Sequence, residues 1–155
     1  MDTIGPIQNR VSRFFIDVDD RNWESVEGVM TSRVHLDYSS FGAGEPVDLT
    51  PAEITTAWKE LLPGFDQTHH QIGNPLIESK EQKANVKVHA TATHFIDGAE
   101  GGDLWVVYGT YNIALVHEGG TWKISRIQFN FKFQDGNMDL PVIAQARADA
   151  KAKAE

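Results

Sequence analysis

The residues best suited to proton chemistry in this sequence lie in Thr68-His69-His70-Gln71-Ile72-Gly73-Asn74. Imidazole is the side chain whose charge changes near neutral pH. Read with the two-residue period of a strand, His70, Ile72, Asn74 and Leu76 share one face, and His69, Gln71 and Gly73 the other. Ile72 marks the apolar side, so His70 points inward and His69 outward. An imidazole on an apolar face needs a hydrogen-bond partner. Two readings are open: a core histidine satisfied by a backbone carbonyl, or a general base. Three further polar side chains project inward by their own patterns. Asp19 lies one turn beyond Phe15 at the C-terminal end of a helical stripe, where the helix dipole disfavours a carboxylate and a cationic or donor partner is needed. Tyr38 and His94 occupy inward positions of alternating strands. Four such groups aimed at one interior exceed what a core normally tolerates. An Asp–His pair is also a common way to fix a tautomer and raise basicity.

The elements that must position these groups follow from periodicity. Ile7, Val11, Phe14, Phe15 and Val18 predict an amphipathic helix over about 7–19. Asn22 can cap a short second helix with Trp23, Val26 and Met30 inward. Over 33–38, Val34, Leu36 and Tyr38 go in, and Arg33, His35 and Asp37 go out. Residues 41–46 read as a loop. Thr50-Pro51-Ala52-Glu53 combines a capping box with proline at the first helical position. Ile54, Ala57, Trp58, Leu61 and Leu62 continue that helix, and Pro63-Gly64 ends it.

From Asp66 onward the pattern is β. Val86, Val88, Ala90, Ala92 and His94 share a face whose small residues leave room above it. Residues 97–103 form a turn, 104–117 a strand apolar on both sides, and Glu118-Gly119-Gly120 a hairpin connection. In the last strand Trp122 and Ile124 have one parity, while Ile127, Phe129, Phe131 and Phe133 have the other. A bulge near Ser125-Arg126 would reconcile them. Residues 139–153 are helix-prone but weakly amphipathic, and either cover a pocket mouth or fray. This order predicts one α+β domain over 1–155, with a core of about 7–135 and a helical tail at 139–155. A curved antiparallel sheet would wrap around N-terminal helices and enclose a pocket.

Composition narrows the function. The 155 residues carry a formal net charge of −8 and no basic run, which argues against a nucleic-acid partner or an anionic membrane surface. No cysteine is present, so thiolate nucleophiles and cysteine metal sites are excluded. No spaced metal-ligand motif, nucleophile elbow or nucleotide-binding glycine loop occurs. No metal or cofactor is expected. No apolar run reaches membrane-spanning length and the first residues lack a signal-peptide layout, so a cytoplasmic location is expected. A strand apolar on both faces predicts a homodimer or homotrimer.

Asp19-Asp20-Arg21-Asn22-Trp23, Leu36-Asp37-Tyr38-Ser39-Ser40-Phe41, Thr68-His69-His70-Gln71-Ile72-Gly73 and Thr93-His94 give the chain a family likeness. Over about residues 10–135 it resembles the SnoaL-like branch of the nuclear transport factor 2-like superfamily, and within it scytalone dehydratase. The resemblance implies a cone-shaped α+β fold and a cofactor-independent lyase. It places the catalytic histidine on His70, a second histidine on His94, the aspartate orienting that second histidine on Asp19, and a substrate- or water-holding tyrosine on Tyr38. It also suggests a substrate-contacting asparagine at Asn112. Val18 stands where the fungal enzyme has a second tyrosine, so the paired-tyrosine clamp is incomplete. Trp58, Phe15, Phe129, Phe131 and Tyr108 are the candidate substrate-binding walls, suggesting a small hydroxylated aromatic or polycyclic substrate. Dehydration is the expected reaction. Carbon–carbon cleavage releasing a small aldehyde, isomerisation or cyclisation would use the same parts. A non-catalytic binding or dimerisation domain is the rival from another class.

Overall fold

Helix α1 (Ile4–Asp19) buries Ile7, Val11, Phe14, Phe15 and Val18, the stripe that periodicity selects. Each such side chain contributes about 1.5–3 kcal/mol on burial. In this computed structural model, which describes residues 2–155, the helix starts three residues before the expected position. Pro6 is tolerated because amides in a first turn have no intrahelical partner to lose. Asn22 caps α2 (Trp23–Gly28) by accepting the Ser25 amide. Met30 belongs not to this helix but to strand β1 (Met30–Asp37). Asp37, expected outside, is buried at the strand end and accepts both the amide and the hydroxyl of Ser39. After a 3-10 turn (Ser39–Phe41) comes a short strand that patterning did not register, β2 (Val47–Leu49). Helix α3 (Pro51–Lys59) has the predicted capping box, with the Thr50 amide donating to Glu53 Oε2 at 2.8 Å. It stops before Leu61, and a second 3-10 turn (Leu62–Gly64) leads into the sheet.

Strands β3 (Gln67–Lys80), β4 (Lys83–Phe95), β5 (Leu104–Glu118) and β6 (Thr121–Gly136) form a long antiparallel meander. The six-stranded order is β2-β1-β6-β5-β4-β3, with unjoined edges. The sheet is not wholly antiparallel as expected, because β1 runs parallel to β6. That pairing follows from the helical and loop excursion between β1 and the meander, which returns the chain to the far edge.

Three bulges within the β3–β6 meander set which side chains meet. The predicted one leaves Ser125 unpaired, between Leu115↔Ile124 and Ala114↔Arg126. A second leaves Lys132 unpaired, so Phe133 does not continue the inward row. It lies outside, stacked on Tyr108 with ring centroids 4.3 Å apart. A third falls between Gly73↔His89 and Leu76↔Lys87. Proline cannot donate to a ladder, so Pro75 breaks the register, and Asn74 takes a left-handed φ of 52°. Leu76, assigned inward from parity, is therefore 68% exposed, and Ile77 faces Val86 instead.

Gly109 has a steric role at the centre of the sheet. A Cβ there would lie 2.3 Å from the Asn130 carbonyl oxygen and 2.6 Å from the Phe129 ring. Its absence lets Phe129 lie flat over β5. Helix α4 (Leu140–Ala154) neither frays nor lids the interior: it buries Leu140, Ala144 and Ala148 and packs on the Leu62–Gly64 turn. No helix is long and apolar enough to cross a membrane among the described residues.

Candidate active site

The sheet, helices α1 and α3 and the loops beside them form an open cavity of about 330 Å³, lined mostly by aromatic and aliphatic side chains. Its polar contributions come from few places: His70 on β3, His94 on β4, Tyr111 on β5, Tyr38 after β1 and Glu45 in the loop before β2.

Asp19, the last residue of α1, meets β3 through three hydrogen bonds. Its Oδ1 lies 2.7 Å from His70 Nδ1 and accepts the Thr68 hydroxyl at 3.0 Å, and its Oδ2 accepts the His70 amide at 2.6 Å. The helix-end carboxylate thus finds the donors that its dipole demands. Carboxylates only accept, so His70 Nδ1 carries a proton, and in the neutral imidazole Nε2 is the nitrogen with the lone pair. Both side chains are nearly enclosed, 12% exposed for His70 and 14% for Asp19. Burial pushes the Asp19 carboxyl upward, but the hydrogen bonds and charge of His70, with Thr68, outweigh it and hold it below the ordinary value.

This corrects the expected pairing, in which Asp19 orients His94. His94 instead points Nδ1 at the Trp105 carbonyl, 3.1 Å away, between the rings of Trp105 and Phe65. The pairing differs because α1 ends against β3, the edge strand, and β4 lies one strand further in. Burial lowers the His94 imidazole to about 4, so it is neutral at physiological pH with Nε2 as an acceptor. The two imidazoles face the same space, centroids 6.4 Å apart and nearly perpendicular.

Tyr38 and Tyr111 form the opposite polar pole, their hydroxyls 3.3 Å apart. Burial pushes Tyr38 up to about 12 and Tyr111 well above the usual phenol value. Both remain protonated donors: one hydroxyl donates to the other, and one O–H is left for a ligand. Of the candidate wall residues, Phe15, Trp58 and Phe129 line the cavity. Asn112 and Tyr108 do not, because their parity on β5 is opposite to that of Trp105, Val107 and Tyr111, and they lie on the outer face. Phe131 shares the inward parity but packs on Phe41 at 5.1 Å, outside the lining. Tyr111 and Thr68 escaped the sequence reading. Thr68 was recoverable from sharing the parity of His70, whereas β5 is apolar on both faces and its sequence does not say which row turns inward.

A pH prediction follows from His94. In the fold it stays neutral down to about 4, whereas unfolded it binds a proton below its ordinary value of 6.5. The unfolded chain therefore binds more protons between those limits, and stability falls as pH drops through that window. The loss is on the order of 3 kcal/mol. Urea unfolding at pH 7 and pH 4 should show His94→Gln losing less than the wild type. Equal losses would mean that His94 is not the responsible group.

Among the described residues, no group of three or more His, Asp or Glu side chains is placed to share a metal ion. Residues 2–128 match the model of the SnoaL-like domain family, and the chain belongs to that family. Its architecture is that of the nuclear transport factor 2-like fold. A crystal structure of the protein Kfla4162 from Kribbella flavida is 21% identical, covering 89% of this chain and 95% of that one, with a TM-score of 0.83. A provisionally named scytalone dehydratase from Novosphingobium aromaticivorans is 17% identical, covering 86% of each chain, TM-score 0.74. A hexachlorocyclohexane dehydrochlorinase from Novosphingobium barchaimii is 16% identical, covering 85% of this chain and 88% of that one, TM-score 0.68. No functionally curated protein matches the chain.

Proposed function

We propose that the protein is a cofactor-independent lyase that eliminates water from a small β-hydroxy carbonyl compound carrying an aromatic or polycyclic ring. The observation that carries this reading is the Asp19–His70 pair, opened by its free Nε2 onto an aromatic cavity that also contains the Tyr38–Tyr111 donor pair. The free phenolic O–H holds the substrate carbonyl. His70 Nε2 removes the proton on the adjacent carbon, the negative charge moves onto the carbonyl oxygen, and Asp19 stabilises the imidazolium that forms. Expulsion of hydroxide needs a proton, and the single N–H of neutral His94 is on Nδ1, engaged by the Trp105 carbonyl, which leaves Nε2 as an acceptor only. It accepts a hydrogen bond from the substrate hydroxyl instead. The proton on His70 then passes to that hydroxyl, the C–O bond breaks, water leaves and the base is regenerated. Dehydrochlorination in a relative of the same fold is likewise an elimination by name, which supports the reaction class.

The experiment is incubation with aryl β-hydroxy ketones in D₂O, following enone absorbance and deuterium incorporation at the α-carbon by NMR. Turnover or exchange that depends on His70 supports the proposal. Ligand binding that is flat with pH, with no exchange, assigns the cavity to a carrier.

We also propose self-association. On the outer face Phe133 is 55% exposed and stacked on the half-buried Tyr108, and Leu104, on the same row of β5 as Tyr108, is 47% exposed. Covering such a patch favours a second copy. Light scattering at micromolar concentration should give a homodimer or homotrimer, and a monodisperse monomer would refute it.

A further inference from the structure

Arg21 is the second residue past the end of α1 and adopts a left-handed φ of 56°, uncommon for a residue with a Cβ. Its Nη2 donates to the carbonyls of Leu62 at 2.9 Å and Phe65 at 2.6 Å. Its buried Nε has no hydrogen-bond partner among the described residues, so Nη2 alone makes the attachment. Leu62 and Phe65 both line the cavity and bracket the turn that enters β3. Two residues from Arg21, Asp19 grips Thr68 and His70 on that same strand. The end of α1 is thus fastened to the turn and the strand at two adjacent points.

The turn is held from its other side by α4. A Cβ on Gly64 would sit 1.8 Å from the Ala144 carbonyl oxygen, so helix and turn touch backbone to backbone. Lys151 donates to the Pro63 carbonyl at 2.7 Å, and Arg147 pairs with Asp66 at 2.6 Å. With α4 behind the turn, its front position is set by Arg21.

From this geometry we infer that Arg21 is a positioning residue for the Asp19–His70 pair: it fixes the distance between the end of α1 and the start of β3. It rests on that pair being the reactive one, yet its test needs no substrate and fails separately from any turnover assay. A charged side chain is not required merely to end a helix. A donor spanning two main-chain carbonyls is required to hold Asp19 in register with His70.

The test uses the downfield ¹H resonance of His70 Nδ1–H, assigned by its disappearance in His70→Gln, and its exchange rate with solvent in the full chain. Arg21→Met keeps the stem and removes every donor, and exchange should quicken at least tenfold. Arg21→Lys keeps the charge on a shorter side chain, and exchange should fall between Met and wild type. If Arg21→Met does not fold, Arg21→Lys decides alone by exchanging several-fold faster than wild type at unchanged melting temperature. Wild-type exchange in a folded Met or Lys variant, even with lowered stability, would reduce Arg21 to a purely structural contact and overturn the inference.

Discussion

His70→Ala is expected to lower turnover by about 10²-fold or more while costing no more than about 1–2 kcal/mol of stability. The effect on chemistry is large because no other unprotonated nitrogen in the cavity has a carboxylate behind it. His94, the only other imidazole there, is backed by a neutral carbonyl and held at about 4 by burial, which makes it a poor base. The effect on stability is small because the vacated volume opens into an existing cavity that water can enter. His69→Ala is the matched control: His69 is exposed on the opposite face of β3 and should change neither quantity. Assaying both variants on one substrate separates the register from the chemistry. Activity lost in His69→Ala but kept in His70→Ala would invert the inward face of β3 and remove the basis of the proposed function.

Asp19→Asn should fold and lose turnover by about 10²-fold. The wild-type carboxylate accepts three hydrogen bonds from β3, two of them from His70. An amide has one accepting oxygen, so its NH₂ must confront either the His70 amide or the donors at Oδ1. It also lacks the charge that stabilises the imidazolium. The carboxyl is held below its ordinary value, so Asp19 stays ionised across the neutral range and keeps its charge beside His70. Thermal unfolding of the mutant within a few degrees of wild type, together with the lost turnover, is the expected combination. Wild-type turnover in folded Asp19→Asn would make the pair structural.

The sequence alone determined all the α-helices and strands but the short strand β2, and the inward side of most of them. The apolar stripe of α1, the capping box of α3 and the parity of His70, His94 and Tyr38 are local properties, set by periods of 3.6 and 2 that need no knowledge of neighbours. Even the bulge at Ser125 was legible, because an unbroken pleat cannot move its apolar row from one parity to the other, and one extra residue can. Bulges that leave no such mark were not. The break at Asn74-Pro75 had a signal in proline's missing amide, and parity taken without it sends Leu76 to the wrong face. Which partner each polar group takes was decided only in three dimensions. Asp19 could reach either histidine by pattern, and it meets His70 because α1 ends over the sheet edge rather than over β4. Asn112 and Tyr111 are neighbours in sequence, and the pleat sends one outside and the other into the cavity beside Tyr38. A strand apolar on both faces does not reveal which face is which. The α4 helix shows the same limit: its near-uniform alanine pattern has no preferred face, and the close backbone contact at Gly64 determines where it docks.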